Sequence, residues 1–266
     1  MNAGVYIHIP FCRSRCSYCD FATGMYQSEI AETYVSAVCS EIRGWREIDQ
    51  PAPVDTIYFG GGTPSLLSAE QIERILDSVT DRFEVINAPE ITLEINPGDG
   101  GVDPESRRAT MRAWRSLGIN RASFGAQTFD DRELKLLGRT HDSADVRKTF
   151  ALLRDARFAN INFDLIAGLP HQTKESWRQS LEELAALAPR HVSVYLLEID
   201  EGSRLGKEDM TAACRACGED SRRRAPGRAV FTRKRVRNIS CSHPPERRTG
   251  RAVRRPLGCL VSARWW

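Results

Sequence analysis

The stretch His8-Ile9-Pro10-Phe11-Cys12-Arg13-Ser14-Arg15-Cys16-Ser17-Tyr18-Cys19-Asp20-Phe21 places three thiols within eight residues, spaced Cys-x3-Cys-x2-Cys. Residues 3–9 lead into it and read as a first strand. Pro10 has no N–H and a fixed φ, so regular structure stops there. The thiols therefore fall on a loop just past a strand end. Cysteine thiolates hold iron–sulfur clusters, and three of them leave one iron of a four-iron cluster open to a small molecule. Structural zinc prefers four ligands, and His8 is the nearby candidate for a fourth. Unmetallated bystander thiols are the third reading.

Working outward, strand and helix patterns alternate. Glu29 to Arg43 is helical, with Ile30, Tyr34, Val38 and Ile42 on one face; Cys39 on it reads as a small buried side chain. Thr56-Ile57-Tyr58-Phe59 is a strand that runs into Gly60-Gly61-Gly62-Thr63-Pro64, and a helix follows from Ala69 to Phe83. The glycines leave backbone that a ligand can approach closely. They do not match a P-loop, which ends in Gly-Lys-Ser/Thr. Glu90 to Ile95 alternates as a strand, with Glu94 near its end. Pro104 opens a helix to Leu117.

A strand from Arg121 leads to Gln127, then a short helix from Asp130 to Leu137 leads to Gly138-Arg139-Thr140-His141. Arg139 suits a bidentate carboxylate partner; His141 reads as a capping or surface histidine, with proton carrier as the sharper alternative. Ser143 is the expected N-cap of a helix to Ala156. Ile161 to Ile166 is a strand interrupted by Asp164, a carboxylate that needs a specific partner if buried. Lys174 to Leu187 is a helix and His191 to Leu197 a sixth strand. Polar groups collect at strand C-termini, as in α/β barrels. Six units predict an open partial (β/α)6 barrel, but periodicity does not report closure, so a doubly wound sheet competes.

These motifs resemble, in order, those of radical S-adenosylmethionine (SAM) enzymes. The surroundings of the cysteines are similar to the oxygen-independent coproporphyrinogen III oxidase family and, within it, the HemW-type haem chaperones. The resemblance covers roughly residues 4–206. It rests also on Phe59 to Pro64, Glu94-Ile95-Asn96-Pro97, Phe124-Gly125-Ala126-Gln127, Leu137 to His141 and Asp164 to Pro170. It implies that Cys12, Cys16 and Cys19 ligate a [4Fe–4S] cluster, with SAM on the open iron. Tyr6, Tyr18, Gly61, Gly62, Thr63, Glu94, Gln127, Arg139 and Asp164 match SAM-contacting positions. It further implies a partial radical SAM barrel, haem or porphyrin as cargo, haem-accepting partner proteins and an electron donor. Oxidases of this family carry a further cysteine two residues after the third ligand and an N-terminal extension. Here Phe21 holds that position and almost nothing precedes the first strand. Both differences favour the chaperone branch over the decarboxylating oxidase.

The net charge of +3 hides a division. Residues 207–266 carry 16 Lys+Arg against 5 Asp+Glu, and residues 1–206 carry 22 against 30. No apolar run of membrane-spanning length occurs and no secretory signal pattern is present, so a cytoplasmic location is expected. The expected domains are a core at 1–206 and an irregular basic tail at 207–266. A basic tail invites a nucleic-acid reading, weighed here as the lesser alternative. The favoured reading is a frameshift: dropping one base across Val236 to Ser240 can yield Tyr-Glu-Ile-Ser, which resembles a motif of the family's C-terminal region. Cys214-Arg215-Ala216-Cys217 reads as an accident of that frame. The family's C-terminal domain carries an His-Asn-x-x-Tyr-Trp-type stretch implicated in haem handling, and no such stretch occurs here.

Overall fold

The computed structural model describes residues 2–46, 52–98, 102–200, 203–207 and 239–242. Strands β1 (Ala3–Ile9), β4 (Val54–Gly61), β5 (Val85–Ile95), β6 (Arg121–Gln127), β7 (Asn160–Ala167) and β8 (His191–Leu196) form one sheet, with every adjacent pair parallel. Two-residue strands β2 (Phe11–Cys12) and β3 (Gly24–Met25) pair across the cysteine loop. Helices α1 (Ser28–Gly44), α2 (Ala69–Arg82), α3 (Pro104–Ser116), α4 (Asp131–Leu136), α5 (Ser143–Asp155) and α6 (Lys174–Leu187) occupy the connections. The order β1-β4-β5-β6-β7-β8 never reverses. A doubly wound sheet changes direction at a switch point; here each unit adds to the same side, and β1 does not meet β8. The architecture is an open barrel of six parallel strands.

Strand parity explains what each face does. Val5, Ile7, Ile9, Ile57, Phe59, Leu93, Ile95, Phe124, Phe163 and Leu165 are buried and join the helices' apolar residues in one core cluster. The alternate residues, among them Tyr6, Tyr58, Glu94, Ser123, Asn162 and Asp164, take the opposite, inner face, because side chains alternate across a strand. Register stacks them: Tyr6 lies beside Tyr58, Tyr58 beside Thr92, Glu94 beside Ser123, and Asp164 beside Ser193. Parallel strands usually read as continuous apolar runs. These alternate because their inner face lines a polar cavity.

The helix starts follow local chemistry. Ser68 and Gln71 form a capping box on α2, as do Thr173 and Ser176 on α6. Pro104 occupies the first turn of α3 behind an Asp103 cap. The expected Ser143 cap is corrected: Asp142 caps α5, its side chain accepting from Asp145 N at 2.8 Å, and Ser143 is the first helical residue. Carboxylate and hydroxyl serve equally as caps, and the Ser143 N–H is taken by Asp131 Oδ1 at 2.8 Å. Cys39 is buried, with its Sγ near Arg74 O at 3.4 Å.

Of the basic tail, the described residues are Lys207 and strand β9 (Ile239–Ser242), which pairs antiparallel with β8. The expectations placed on the arginine runs and on Cys214 and Cys217 lie outside the described residues. Among the described residues no helix is long and apolar enough to cross a membrane.

Candidate functional site

At the strand C-termini lies a cavity of about 370 Å³. Cys12, Cys16 and Cys19 line it together with Tyr18, Gly61, Gly62, Thr63, Glu94, Gln127, Arg139 and Asp164. Eleven of the twelve residues singled out in the sequence thus meet in one space. Tyr6 is the exception: it lies one layer below, stacked on Tyr58 at 5.9 Å and hydrogen-bonded to His8 Nδ1 at 3.2 Å. His8 is also absent from the cavity lining.

The cysteine loop is held from three sides. Gly24 N–H donates to Pro10 O and Tyr26 N–H to Cys12 O. Ser17, between the second and third thiols, is 1% exposed. Its N–H donates to Leu137 O at 2.9 Å, its hydroxyl to Leu136 O at 2.8 Å, and its carbonyl accepts Leu205 N–H at 2.8 Å. Gly62 closes the third side: its N–H donates to Ile9 O, and a Cβ there would stand 2.6 Å from Phe11 O and 3.0 Å from Cys12 Sγ. Gly61 has φ +112, which only glycine adopts readily, and that turn aims its N–H at Glu94 Oε2, 3.0 Å away.

A directional chain of donors ends on the first thiol. Arg139 donates through one guanidinium nitrogen to Asn96 Oδ1 at 3.0 Å, Asn96 Nδ2 to Thr63 Oγ1 at 2.9 Å, and Thr63 Oγ1 to Cys12 Sγ at 3.7 Å. The other guanidinium nitrogen of Arg139 reaches Tyr18 Oη at 3.0 Å. Within the protein the Arg139 fork spans an amide and a phenol. Asn96 went unrecognised as a site residue; the signal was a polar side chain immediately past a strand end.

Two carboxylates, Glu94 and Asp164, line the cavity. Glu94 accepts from Tyr58 Oη at 2.8 Å and from Gly61 N–H. Asp164 accepts from Ser123 Oγ at 3.1 Å and Asn162 Nδ2 at 2.8 Å, the partners its interruption of an apolar strand called for. Burial raises both carboxyls, Glu94 to about 7, and the Asp164 charge adds to the rise of Glu94. Such groups await cations or hydroxyl donors, as an ammonium and a ribose provide. Gln127 adopts φ 68 at the end of β6, where the register with β7 shifts. A non-glycine residue in that region stores strain, and strained residues cluster at ligand sites.

The donor set fits an iron–sulfur cluster. Burial pushes the Cys12 and Cys19 thiols above their usual range, so the thiolates need a cationic partner in this pocket.

The sequence profile described as Radical SAM superfamily matches residues 6–184. The haem chaperone HemW of Synechocystis is 39% identical over 206 residues, covering 75% of this chain and 48% of that protein. HemW of Escherichia coli is 34% identical over 203 residues, covering 76% and 52%. The chain thus spans about half the length of these relatives. Among solved structures, the coproporphyrinogen III oxidase HemN from Escherichia coli, titled a radical SAM enzyme, superposes with TM-score 0.69 at 25% identity, covering 83% of this chain and 52% of its own.

Proposed function

The chain belongs to the radical SAM superfamily, and from that premise we propose that it is the core of a haem chaperone, with its radical SAM domain at residues 1–206. In this reading Cys12, Cys16 and Cys19 hold a [4Fe–4S] cluster and the cavity beside them holds SAM. When bound, the cluster supplies a low-potential electron to the sulfonium cofactor.

The chain's own groups do the rest. Gly61 and Gly62 expose backbone for the methionyl end, and Glu94 and Asp164 take the ammonium and ribose hydroxyls. Thr63, Asn96 and Arg139 donate toward the thiol side. Gln127 and Tyr18 close the wall, while Tyr6 supports Tyr58 and through it Glu94. An electron donor and haem-accepting proteins are the partners this reading requires.

The observation that carries haem handling over decarboxylation is Phe21. It stands two residues past the third thiol, 59% exposed, on a cavity rim shared with Tyr195 and Leu196, which are 40% and 59% exposed. An apolar aromatic rim suits the flat face of a porphyrin, and the HemW relatives are named as haem chaperones. The test is anaerobic reconstitution with iron and sulfide, followed by titration with haem and, separately, incubation with coproporphyrinogen III and SAM. The expected result is a haem Soret band that weakens in Phe21→Ser and Leu196→Ser, with no release of carbon dioxide. Decarboxylation of the porphyrinogen would replace the chaperone assignment with the oxidase.

A further inference from the structure

Asn96 lies just beyond the end of β5, and its side chain meets two groups that arrive from other parts of the chain. Arg139 Nη1 is 3.0 Å from its Oδ1, and Thr63 Oγ1 is 2.9 Å from its Nδ2. Chemistry fixes which end of the amide faces which partner. A guanidinium only donates, so the atom facing Arg139 is the carbonyl oxygen. The amide nitrogen is then left for Thr63, and it too only donates. The Thr63 oxygen therefore accepts from Asn96, and its single proton must go elsewhere. Cys12 Sγ, 3.7 Å away, takes it.

The surroundings hold this arrangement in place. Thr63 N–H donates to Phe11 O at 2.7 Å, one residue before Cys12, so hydroxyl and thiol are tied to each other through the backbone. Arg107 donates to Gly98 O and, at 3.4 Å, to Asn96 O, which pins the backbone that carries the amide. Arg139 is anchored a second time on Tyr18 Oη at 3.0 Å. Gly125, which is buried, leaves room for the pair: a Cβ there would stand 3.2 Å from Asn96 Oδ1 and 3.3 Å from Arg139 Nη2.

We infer that Asn96 is a positioning residue for the cluster: by offering Thr63 a donor and no acceptor, its amide turns the Thr63 hydroxyl proton onto the Cys12 sulfur. The inference rests on the assignment of Cys12, Cys16 and Cys19 to a cluster, and it names Cys12 as the ligand that receives this side-chain hydrogen bond. It is independent of the haem assignment. Asn96→Asp keeps the outline of the side chain but replaces the donor by an acceptor. Arg139 would then donate to one carboxylate oxygen and the Thr63 hydroxyl to the other, leaving Cys12 without its donor. Hydrogen bonds to the sulfurs set cluster potential, so a change at Asn96, whose own bonds run to Arg139 and Thr63, should register on the cluster.

The test reconstitutes the full chain anaerobically with iron and sulfide. Redox titration followed by electron paramagnetic resonance then compares the wild type, Asn96→Asp, Thr63→Val and the double variant at matched iron content. Each single variant should shift the midpoint potential downward. Asn96→Asp should lose most of its effect in the Thr63→Val background, because both remove the same bond. An unchanged potential in Asn96→Asp overturns the inference; so does a shift that persists in full beside Thr63→Val, which marks a bare charge effect. Electron–nuclear double resonance on the reduced cluster in H2O and D2O gives a second readout. One exchangeable proton coupling of the wild type should be missing from both single variants. Identical couplings in wild type and Thr63→Val would show that the hydroxyl does not point at sulfur, and would overturn the inference whatever Asn96→Asp does. A wild-type chain that takes up no cluster overturns the cluster assignment itself, and this inference with it.

Discussion

Thr63 joins the glycine turn to the thiols. Its hydroxyl accepts from Asn96 and donates to Cys12. Hydrogen bonds to ligating sulfur stabilise the reduced, more negative cluster and raise its potential. Thr63→Val should therefore lower the midpoint potential of the reconstituted cluster while leaving its iron content unchanged; redox titration followed by electron paramagnetic resonance reads it. Glu94 tests the carboxylate wall. Its carboxyl stands near 7 in the folded chain against 4.5 in an open environment, burial being the chief cause. Folded chain holds a proton that unfolded chain has lost, so ligand-free stability should fall as pH rises from 4.5 through 7. Glu94→Gln should flatten that slope in denaturant midpoints. A cationic ligand group should bind more tightly above 7, where the carboxylate is charged.

At the scale of elements, the cysteine loop depends on parts distant in sequence. Ser17 ties it to the end of α4 and to the turn at 203–207. Ser17→Ala leaves Leu136 O without its donor and should cost about 1–2 kcal/mol. Its specific signature should be faster loss of iron to a chelator, more than its change in melting would account for. On α5, Asp142→Ala should cost about 1 kcal/mol in urea unfolding, the worth of an N-cap, whereas Ser143→Ala should stay within about 0.5 kcal/mol. The reverse ranking would restore Ser143 as the cap. The sequence reading put the cap at Ser143, and the structure gives it to Asp142, one residue earlier. Asp131, from another helix, takes the Ser143 N–H.

At the scale of the molecule, β8 carries both the rim residues Tyr195 and Leu196 and the pairing to β9. Ile239 and Ser240, which lie in the segment expected to be out of frame, are the first residues of that strand. Reading the gene in its other frames beyond the codon for Gly206 should reveal a family-like C-terminal domain; no such frame would leave the basic tail as the true sequence. That frame decides whether the core is followed by the domain to which haem handling is ascribed.

Local chemistry made much of this legible in advance. The cysteine spacing, Pro10 after a strand, three consecutive glycines and a lone Asp164 within apolar residues are each readable because their causes act within a few residues. Glu90 to Ile95 was legible as an alternating strand; that Tyr58, Glu94 and Asp164 share one polar inner face came only with the register of the strands. Three matters were not local. Strand order, which excluded the doubly wound sheet, depends on which side each unit adds to, and periodicity carries no such information. The protein partners of Arg139, an amide and a phenol, come from β5's end and the cysteine loop, 43 and 121 residues away in sequence. And Ser17, unremarkable in the sequence, anchors the cysteine loop only because folding brings Leu136, Leu137 and Leu205 to it.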